Sequence, residues 1–299
     1  MSSKQGPGPN KKGPLRPGAT ARRRGGEPRG AQQPAARTSW DPLATWYNGW
    51  MGEGGSEYHR QLAVPAVMRL LEPESGEQIL DVGCGQGVLA PHVSSAGGRY
   101  VGLDASPRLL DLARKAHGRK GLFVLGDARQ IPSLREIESQ SYDAVTFLLS
   151  IQDMDPLEPV FSGAAWALKA EGRAVLLLTH PAFRVPRQSG WGWDEGRKLV
   201  YRRIDRYLTP LPVPMNPLGG NGSGVVTRSF HRPMSHYVNG LADQGLLVEH
   251  MEEIPAHKLN VAGSTTRAAN LARKEIPLFV ALRARKIRHA PDNGSRQPA

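Results

Sequence analysis

Residues 79–87 constrain the fold more than any other part of the chain, because they combine the end of a strand, a tight turn and the start of a helix. An apolar run that carries Asp81 is followed by glycines at positions 83, 85 and 87. Glycine is favoured where the backbone needs a positive φ or passes close to a ligand. In an open α/β sheet, a turn of this kind at the carboxyl end of a parallel strand is where ligands bind. The G-x-G-x-G spacing differs from a dinucleotide fingerprint, whose third glycine would fall at Val88.

Apolar runs and helical patterns alternate through the middle of the chain. We predict strands over 78–82, 100–104, 122–125, 142–149 and 174–178, and helices over 57–71, 87–96, 106–117 and 157–168. Strands that are apolar throughout and are separated by helices indicate a parallel sheet with both faces covered. After these elements we predict a helix over 234–244 and two strands, over 246–252 and 278–283, that pair antiparallel at the sheet edge.

Two segments depart from this alternation. The segment before the first strand is rich in aromatic residues, and Asp41 within it is a candidate helix cap. We therefore predict a helical cap over 38–74, ahead of a main domain over 75–285. Residues 181–230 are rich in Pro, Gly, Trp and Arg and are interpreted as an insertion that forms the substrate pocket.

The net charge of +12 is concentrated at the two ends of the chain. Residues 1–37 carry nine Lys or Arg and one acid, and residues 283–299 carry five and one, whereas 38–282 balance 25 bases against 25 acids. The first 37 residues have almost no large apolar side chains, so we predict disordered tails over 1–37 and 286–299. The arginines at 22–24 could contact phosphate, but a solubilising extension is the simpler interpretation.

The remaining composition narrows the class of protein. Cys84 is the single cysteine, which argues against a disulfide framework and favours a reducing, cytoplasmic location. No apolar run reaches the roughly 20 residues that a membrane-spanning helix needs, and the start lacks the apolar segment of a secretory signal. The histidines do not have the spacing of a metal site, so we expect no bound metal.

Four motifs recur in order and carry a family resemblance. They are Leu-Asp-Val-Gly-Cys-Gly-Gln-Gly at 80–87, Val-Gly-Leu-Asp-Ala-Ser at 101–106, Gly-Asp-Ala at 126–128 and Tyr-Asp-Ala-Val at 142–145. Residues 75–285 resemble the class I S-adenosylmethionine-dependent methyltransferases, and within them the small-molecule branch related to quinone biosynthesis. The turn over 167–173 departs from the family pattern at Ala170 and Glu171. The resemblance implies an α/β, Rossmann-like, doubly wound and mostly parallel seven-stranded sheet with an antiparallel edge strand.

The resemblance also implies a cofactor site for S-adenosylmethionine. Asp104 closes the second strand, where a carboxylate can accept both hydroxyls of a ribose. Asp127 would accept from the adenine amino group, and Asp81 would hold the loop or the cofactor's amino group. The full set of cofactor residues is Asp81, Gly83, Cys84, Gly85, Gly87, Asp104, Ala105, Asp127, Ala128 and Leu149. Each also has an ordinary structural interpretation, such as a tight turn or a helix cap at Ser106.

Residues for the methyl acceptor are expected from the aromatic N-terminal segment and from the insertion. An acceptor hydroxyl needs a proton sink, for which histidine is suited at neutral pH. His231 is our first candidate and His180 the second, although either could simply satisfy loop backbone. The candidates for substrate contact are Tyr47, Trp50, Arg184, Trp191 and Tyr237.

The sequence therefore predicts methyl transfer to a small molecule, at oxygen in preference to carbon or nitrogen. An RNA or DNA methyltransferase that uses the basic tails is the alternative, but the neutral core offers no fixed basic groove. The fourth strand also continues as Leu-Ser-Ile-Gln, unlike the Asp/Asn-Pro-Pro signature of base-amino methylases. A non-catalytic scaffold would need a damaged cofactor site, and the motif residues are intact. The acceptor's identity and the oligomeric state are left open.

Overall fold

The computed structural model describes residues 40–52, 54–215, 227–257 and 265–287. The predicted disordered tail over 1–37 and nearly all of that over 286–299 lie outside these residues. Part of the predicted insertion, residues 216–226, lies outside them as well.

Seven α-helices and eleven strands make up the described fold. The helices are α1 Ala44–Met51, α2 Val64–Leu71, α3 Ala90–Ser95, α4 Pro107–His117, α5 Glu158–Ala167, α6 Met234–Ala242 and α7 Thr266–Glu275. The strands are β1 Gln78–Val82, β2 Arg99–Asp104, β3 Gly121–Leu125, β4 Tyr142–Leu148, β5 Leu168–Thr179, β6 Ser189–Asp194, β7 Leu199–Ile204, β8 Leu211–Met215, β9 Thr227–His231, β10 Leu246–Ile254 and β11 Phe279–Lys286. A π-helical turn, His59–Ala63, leads directly into α2.

Seven of the strands form one sheet, in the order β10-β11-β5-β4-β1-β2-β3. Five neighbouring strands of the sheet, β5, β4, β1, β2 and β3, are parallel. Strand β11 pairs antiparallel with both β5 and β10. The reversed strand is thus next to the edge, and its antiparallel pairing with β10 is the one predicted from the sequence. The α/β fold class with a mostly parallel seven-stranded sheet is confirmed.

Both faces of the sheet are buried, which explains why its central strands are apolar at every position. Neighbouring residues of a strand point to opposite faces, yet Ile79 and Leu80 are both fully buried. Helices α5 and α6 pack on the face that includes Leu80. Helices α2, α3 and α4 pack on the face that includes Ile79.

The fold differs from the sequence expectation in three places. The helix predicted over 87–96 is shortened to α3 because the residues before it form turns. The insertion is not irregular throughout, since it contains two antiparallel hairpins, β6–β7 and β8–β9. Helix α7 was not predicted, and its buried face is small, because Ala272 is its one buried residue.

Asp41 was a candidate cap for a helix of the N-terminal segment, but in the structure it caps α4. Its Oδ1 accepts hydrogen bonds from Ser106 Oγ at 2.9 Å and from the Arg108 backbone N–H at 3.1 Å. Ser106 is itself the N-cap of α4 and accepts from the Leu109 backbone N–H. Asp41 therefore connects the N-terminal segment to the start of α4, where a carboxylate also interacts favourably with the helix dipole.

This contact predicts the effect of removing the Asp41 carboxylate. We expect Asp41→Ala to lower the free energy of unfolding by about 1 kcal/mol, as for the loss of a helix cap. The measurement is urea denaturation against Asp111→Ala, which removes an exposed carboxylate that pairs with Arg114 on the same helix and is worth roughly 0.5 kcal/mol or less. Equal destabilisation by the two variants would contradict the capping role.

Among the described residues, no helix is both long and apolar enough to cross a bilayer.

Candidate functional site

The carboxyl ends of the five parallel strands bring the predicted cofactor residues to one edge of the sheet. Gly83 follows β1, Asp104 ends β2, Asp127 follows β3 and Leu149 follows β4. This edge is where open α/β sheets bind their ligands. The order of the strands places β1 between β2 and β4, so the glycine turn lies between Asp104 and Leu149.

The three glycines of the turn are all left-handed, but they serve different purposes. Their φ angles are 73°, 54° and 71° at Gly83, Gly85 and Gly87. A Cβ on Gly83 would lie 2.5 Å from Ser150 Cβ, and one on Gly87 would lie 2.7 Å from the Phe123 ring. A Cβ on Gly85 would meet no atom nearer than the Tyr47 ring at 4.0 Å. Gly83 and Gly87 are therefore required by packing, whereas Gly85 borders open space.

Asp104 lies beside this open space. Its Oδ2 accepts from the Gly85 backbone N–H at 2.8 Å, and its Oδ1 accepts from the Ser106 backbone N–H at 2.8 Å. Burial raises the pKa of Asp104 above its usual value, although hydrogen bonds from the Ser106, Gly85 and Ala105 backbone N–H groups oppose the shift. A carboxylate has about four acceptor positions, so capacity remains beyond these bonds. Asp104 therefore holds the glycine turn and the start of α4 and can still accept from a diol.

Asp81 is buried beneath the turn. Its Oδ2 accepts from the Tyr100 hydroxyl at 2.7 Å, while its Oδ1 has no hydrogen-bond partner among the described residues. Burial raises the pKa of Asp81 to about 7. The free oxygen is an unsatisfied acceptor, which a bound group or a water molecule would complete.

Cys84 is a packing residue of the turn. Its backbone N–H, like that of Gly83, donates to the Leu103 carbonyl. Burial raises the pKa of its thiol well above the usual value. A thiol in this state is a poor nucleophile.

The next two strands provide the remaining cofactor candidates. The Asp127 carboxylate accepts from the Arg129 backbone N–H at 2.9 Å and forms a salt bridge with the Arg129 guanidinium. Burial would raise the pKa of Asp127, but Arg129 holds it below its usual value. Ala128 is buried, and Ala105 is half-buried. Leu149 has a left-handed backbone, with φ at 54°, and packs half-buried against the core.

Helix α1 covers the glycine turn. The Asn48 side chain accepts from Gln86 Nε2 at 2.7 Å, and the Tyr47 ring is the nearest group to Gly85. Trp40 meets Tyr47 edge-on, with ring centroids 5.2 Å apart. Burial, together with the charges of Asp153 and Asp104, raises the pKa of the Tyr47 hydroxyl. Trp50 instead stacks on Trp46 and is half exposed.

Both candidate histidines contact other parts of the chain through their ring nitrogens. His180 Nε2 contacts Glu253 Oε1 at 2.8 Å, and His180 Nδ1 accepts from the Ala182 backbone N–H at 3.2 Å. His231 Nε2 donates to the Tyr207 carbonyl at 2.7 Å. Burial lowers the pKa of both imidazoles, so both are neutral near pH 7. These contacts favour the structural interpretation that the sequence left open for each histidine.

The candidate substrate residues fall into two groups. The charge of Asp153 raises the pKa of both Tyr47 and the buried Tyr237. Arg184 instead donates to the carbonyls of Ile276 and Pro277, and its guanidinium lies 5.1 Å from the Trp191 ring.

Trp191 lines a separate cleft of about 310 Å³ between the β6–β7 hairpin and α7. A second guanidinium, that of Arg202, lies 5.1 Å from the same ring. Trp191 thus has its contacts with the hairpin and α7. That Arg184 and Trp191 contact the same substrate as Tyr47 and Tyr237 stays a prediction.

Sequence reasoning missed Asp153. This residue ends a 3-10 turn, Ile151–Asp153, directly after β4. Its carboxylate accepts hydrogen bonds from Ser229 and Trp40, and burial raises its pKa to about 7. The sequence signal that could have found Asp153 is its place shortly after the fourth strand. Acids at strand ends are common, however, and the sequence does not show which elements pack over them.

These residues fit S-adenosylmethionine. The unsatisfied Asp81 oxygen, the spare acceptor capacity of Asp104 and the open side of Gly85 offer acceptors and room for an amino acid and a ribose. As for a metal, no group of three His, Cys, Asp or Glu with suitable geometry occurs within the described ranges.

Comparisons with known proteins match this part of the chain to methyltransferases. Residues 80–176 match the family model described as a methyltransferase domain. The chain is 29% identical over 157 residues to the demethylmenaquinone methyltransferase of Thermobifida fusca, a match that covers 50% of this chain and 63% of that one. It is 27% identical over 140 residues to the ubiquinone biosynthesis O-methyltransferase of Xanthomonas axonopodis, covering 46% and 58%. The chain thus spans about 60% of the length of these two relatives.

A solved structure extends the match over most of the fold. It is the S-adenosylmethionine-dependent methyltransferase from Mesorhizobium loti, with a TM-score of 0.56 and 27% identity. The match covers 74% of this chain and 96% of that one. The motifs, the sheet order and these similarities together show that the chain carries a methyltransferase domain with the fold of the class I S-adenosylmethionine-dependent methyltransferases, and its sequence is similar to those of quinone-biosynthesis methyltransferases.

Proposed function

We propose that this chain transfers the methyl group of S-adenosylmethionine to a small-molecule acceptor, at an oxygen atom. The observation that carries the proposal is the open side of Gly85, which is bordered by the Asp104 carboxylate and the Tyr47 ring. A ligand there would have on one side a carboxylate that can accept hydrogen bonds from a diol, and on the other side an aromatic ring that covers it. The proposed location is the cytoplasm, supported by a single, buried cysteine.

When bound, S-adenosylmethionine supplies a methyl group that is already activated by its positively charged sulfur. Gly85 gives the methionyl part its room, and Asp104 accepts from the ribose hydroxyls. Asp127, with Ala128, and Leu149 bind the adenine end. The task left to the protein is to hold the acceptor in line with the methyl group and to exclude water. Helix α1 performs the second task, because it covers the turn through Tyr47 and the Asn48–Gln86 bond.

A small acceptor is supported by what surrounds the site. The relatives named above are methyltransferases of demethylmenaquinone and of ubiquinone biosynthesis. The partly exposed Tyr47 provides aromatic surface beside Gly85, and residues 38–282 are neutral overall. An aromatic site in a region without excess positive charge favours an uncharged aromatic acceptor over a phosphate backbone.

A methyl-transfer screen with isotope-labelled cofactor tests this function. The panel contains quinols, simple phenols, fatty acids and tRNA, each with full-length protein and with a variant that lacks residues 1–37. We expect label on phenols or quinols from both proteins. Label on tRNA alone, lost with the first 37 residues, would instead establish the nucleic-acid alternative, and transfer to none of the panel together with no binding of S-adenosylhomocysteine would favour a scaffold.

A further inference from the structure

We propose that the Asp153 carboxylate accepts the proton that the methyl acceptor loses as it is methylated. This inference rests on the proposed function, because it assigns a residue within the same site. It replaces His231 and His180 as the proton acceptor and follows from the position of Asp153, its contacts and the chemistry of a carboxylate.

Asp153 belongs to a segment that packs directly against the glycine turn. A Cβ on Gly83 would meet Ser150 Cβ at 2.5 Å and Met154 Cε at 2.9 Å. Ser150 Oγ also donates to the Val82 carbonyl at 2.6 Å. The turn Ile151–Asp153 is thus held beside the part of the loop that would hold the methionyl group and its sulfur.

Residues from four separate parts of the fold interact with the Asp153 side chain. Trp40 donates from the N-terminal segment and Ser229 donates from β9. The rings of Tyr47 on α1 and Tyr237 on α6 are close enough for the Asp153 charge to raise their pKa values. Asp153 as a whole residue is partly exposed, although its carboxylate is desolvated enough for burial to raise its pKa.

The charged groups near Asp153 set its state. The charge of Asp104 also raises the pKa of Tyr47. Arg232 contacts Tyr237 but is already paired with Asp155 at 2.6 Å. The Asp153 carboxylate therefore has no salt-bridge partner among the residues that the structure describes, and burial raises its pKa to about 7. A base with a pKa near the working pH is the most effective for general base catalysis.

The histidines are less suited to this role. His180 uses both ring nitrogens in contacts with Glu253 and the Ala182 backbone. His231 is committed through Nε2 to the Tyr207 carbonyl. Asp153 instead keeps lone pairs that are not used by its two donors, because a carboxylate offers about four acceptor positions.

The step balances in atoms and charge. The bond between the acceptor oxygen and the methyl carbon forms while the bond between that carbon and sulfur breaks, and sulfur keeps the electron pair. The acceptor O–H proton moves to Asp153, which becomes a neutral carboxylic acid as the positive charge on sulfur disappears. The proton then leaves to water, and the carboxylate is restored.

Asp153→Asn tests the inference, with Asp111→Asn as the matched control. Asparagine keeps the shape and one oxygen for Trp40 and Ser229 but accepts a proton poorly. We expect kcat to fall by about 100-fold or more, with S-adenosylhomocysteine affinity unchanged. Below pH 7 the wild-type rate should decline as the carboxylate is protonated, and this decline should be absent in the variant. Asp111 lies on the exposed side of α4, so its variant should behave as wild type.

A carbon-13 NMR titration of labelled aspartate carboxyl groups provides a readout that needs no acceptor. The inference predicts a resonance that titrates near pH 7 and disappears in Asp153→Asn, while a second such resonance, from Asp81, remains. An Asp153 resonance that titrates near pH 4, or a variant with wild-type kcat and pH profile, would overturn this inference and leave the proposed function standing. A wild-type protein that methylates no acceptor and binds no S-adenosylhomocysteine would remove the proposed function, and this inference with it.

Discussion

Gly85→Ala is expected to abolish most of the affinity for S-adenosylhomocysteine while it leaves the fold nearly intact. The added methyl group would enter the open space beside Tyr47, where no protein atom lies within 4.0 Å. Because Gly85 has φ at 54°, the left-handed backbone alone costs about 1 kcal/mol of stability. A ligand in that space would meet the methyl group, so we expect at least a tenfold loss of affinity, which corresponds to about 1.4 kcal/mol.

Gly83→Ala is the matched comparison, because it makes the same chemical change in the same turn. Its methyl group would lie 2.5 Å from Ser150 Cβ, so overpacking adds to the backbone strain. We expect the free energy of unfolding to fall by about 2–4 kcal/mol. Urea denaturation and isothermal titration calorimetry on both variants separate the two effects. If Gly85→Ala binds the ligand as wild type does, the open side of Gly85 is not the cofactor site.

Asp104→Ala is expected to weaken S-adenosylhomocysteine binding by about 1–3 kcal/mol, the cost of leaving buried ribose hydroxyls unpaired. The structure adds a second cause, since the variant also loses the acceptor for the Gly85 and Ser106 backbone N–H groups. Asp104→Asn keeps one oxygen and should give an intermediate affinity. The measurement is again calorimetry.

Ser106→Ala is the control for destabilising the start of α4, because it keeps Asp104 and its backbone hydrogen bonds. Ser106 is the N-cap of α4, so its loss should lower stability by about 1 kcal/mol without changing the ribose acceptor. We expect near wild-type affinity in this control. An Asp104→Ala variant that binds as tightly as wild type would remove the ribose assignment.

The sheet and the glycine turn could be predicted from the sequence because local pattern and tertiary environment agree there. A strand buried on both faces must be apolar at every position, and β1 begins and ends at the predicted residues. The three glycines follow it because the turn needs three left-handed residues. Asp104 was predictable for the same reason, since its place at the end of β2 follows from the pattern.

The roles of the histidines could not be predicted, because they depend on partners far away in the chain. His180 contacts Glu253, and His231 contacts Tyr207, and neither pairing leaves a periodic signal. Asp153 was overlooked for the related reason that its surroundings come from Trp40 and Ser229, on separate segments. A titratable residue becomes a candidate base only when burial and neighbours are known.

The hairpins of the insertion were missed because their strands do not alternate between apolar and polar residues in the usual way. In β6 the sequence Ser-Gly-Trp-Gly-Trp-Asp has no buried residue, so the hydrophobic pattern that defines a half-buried strand is absent. Prolines at 212 and 214 further obscure β8 because proline is disfavoured within strands.

A crystal structure of the full chain with S-adenosylhomocysteine tests the central claim most directly. The account predicts the ligand's ribose hydroxyls within hydrogen-bond distance of Asp104, its methionyl part against Gly83 and Gly85, and its sulfur on the side of the turn that faces Asp153. Ligand bound elsewhere, with the open side of Gly85 filled only by water, would contradict it.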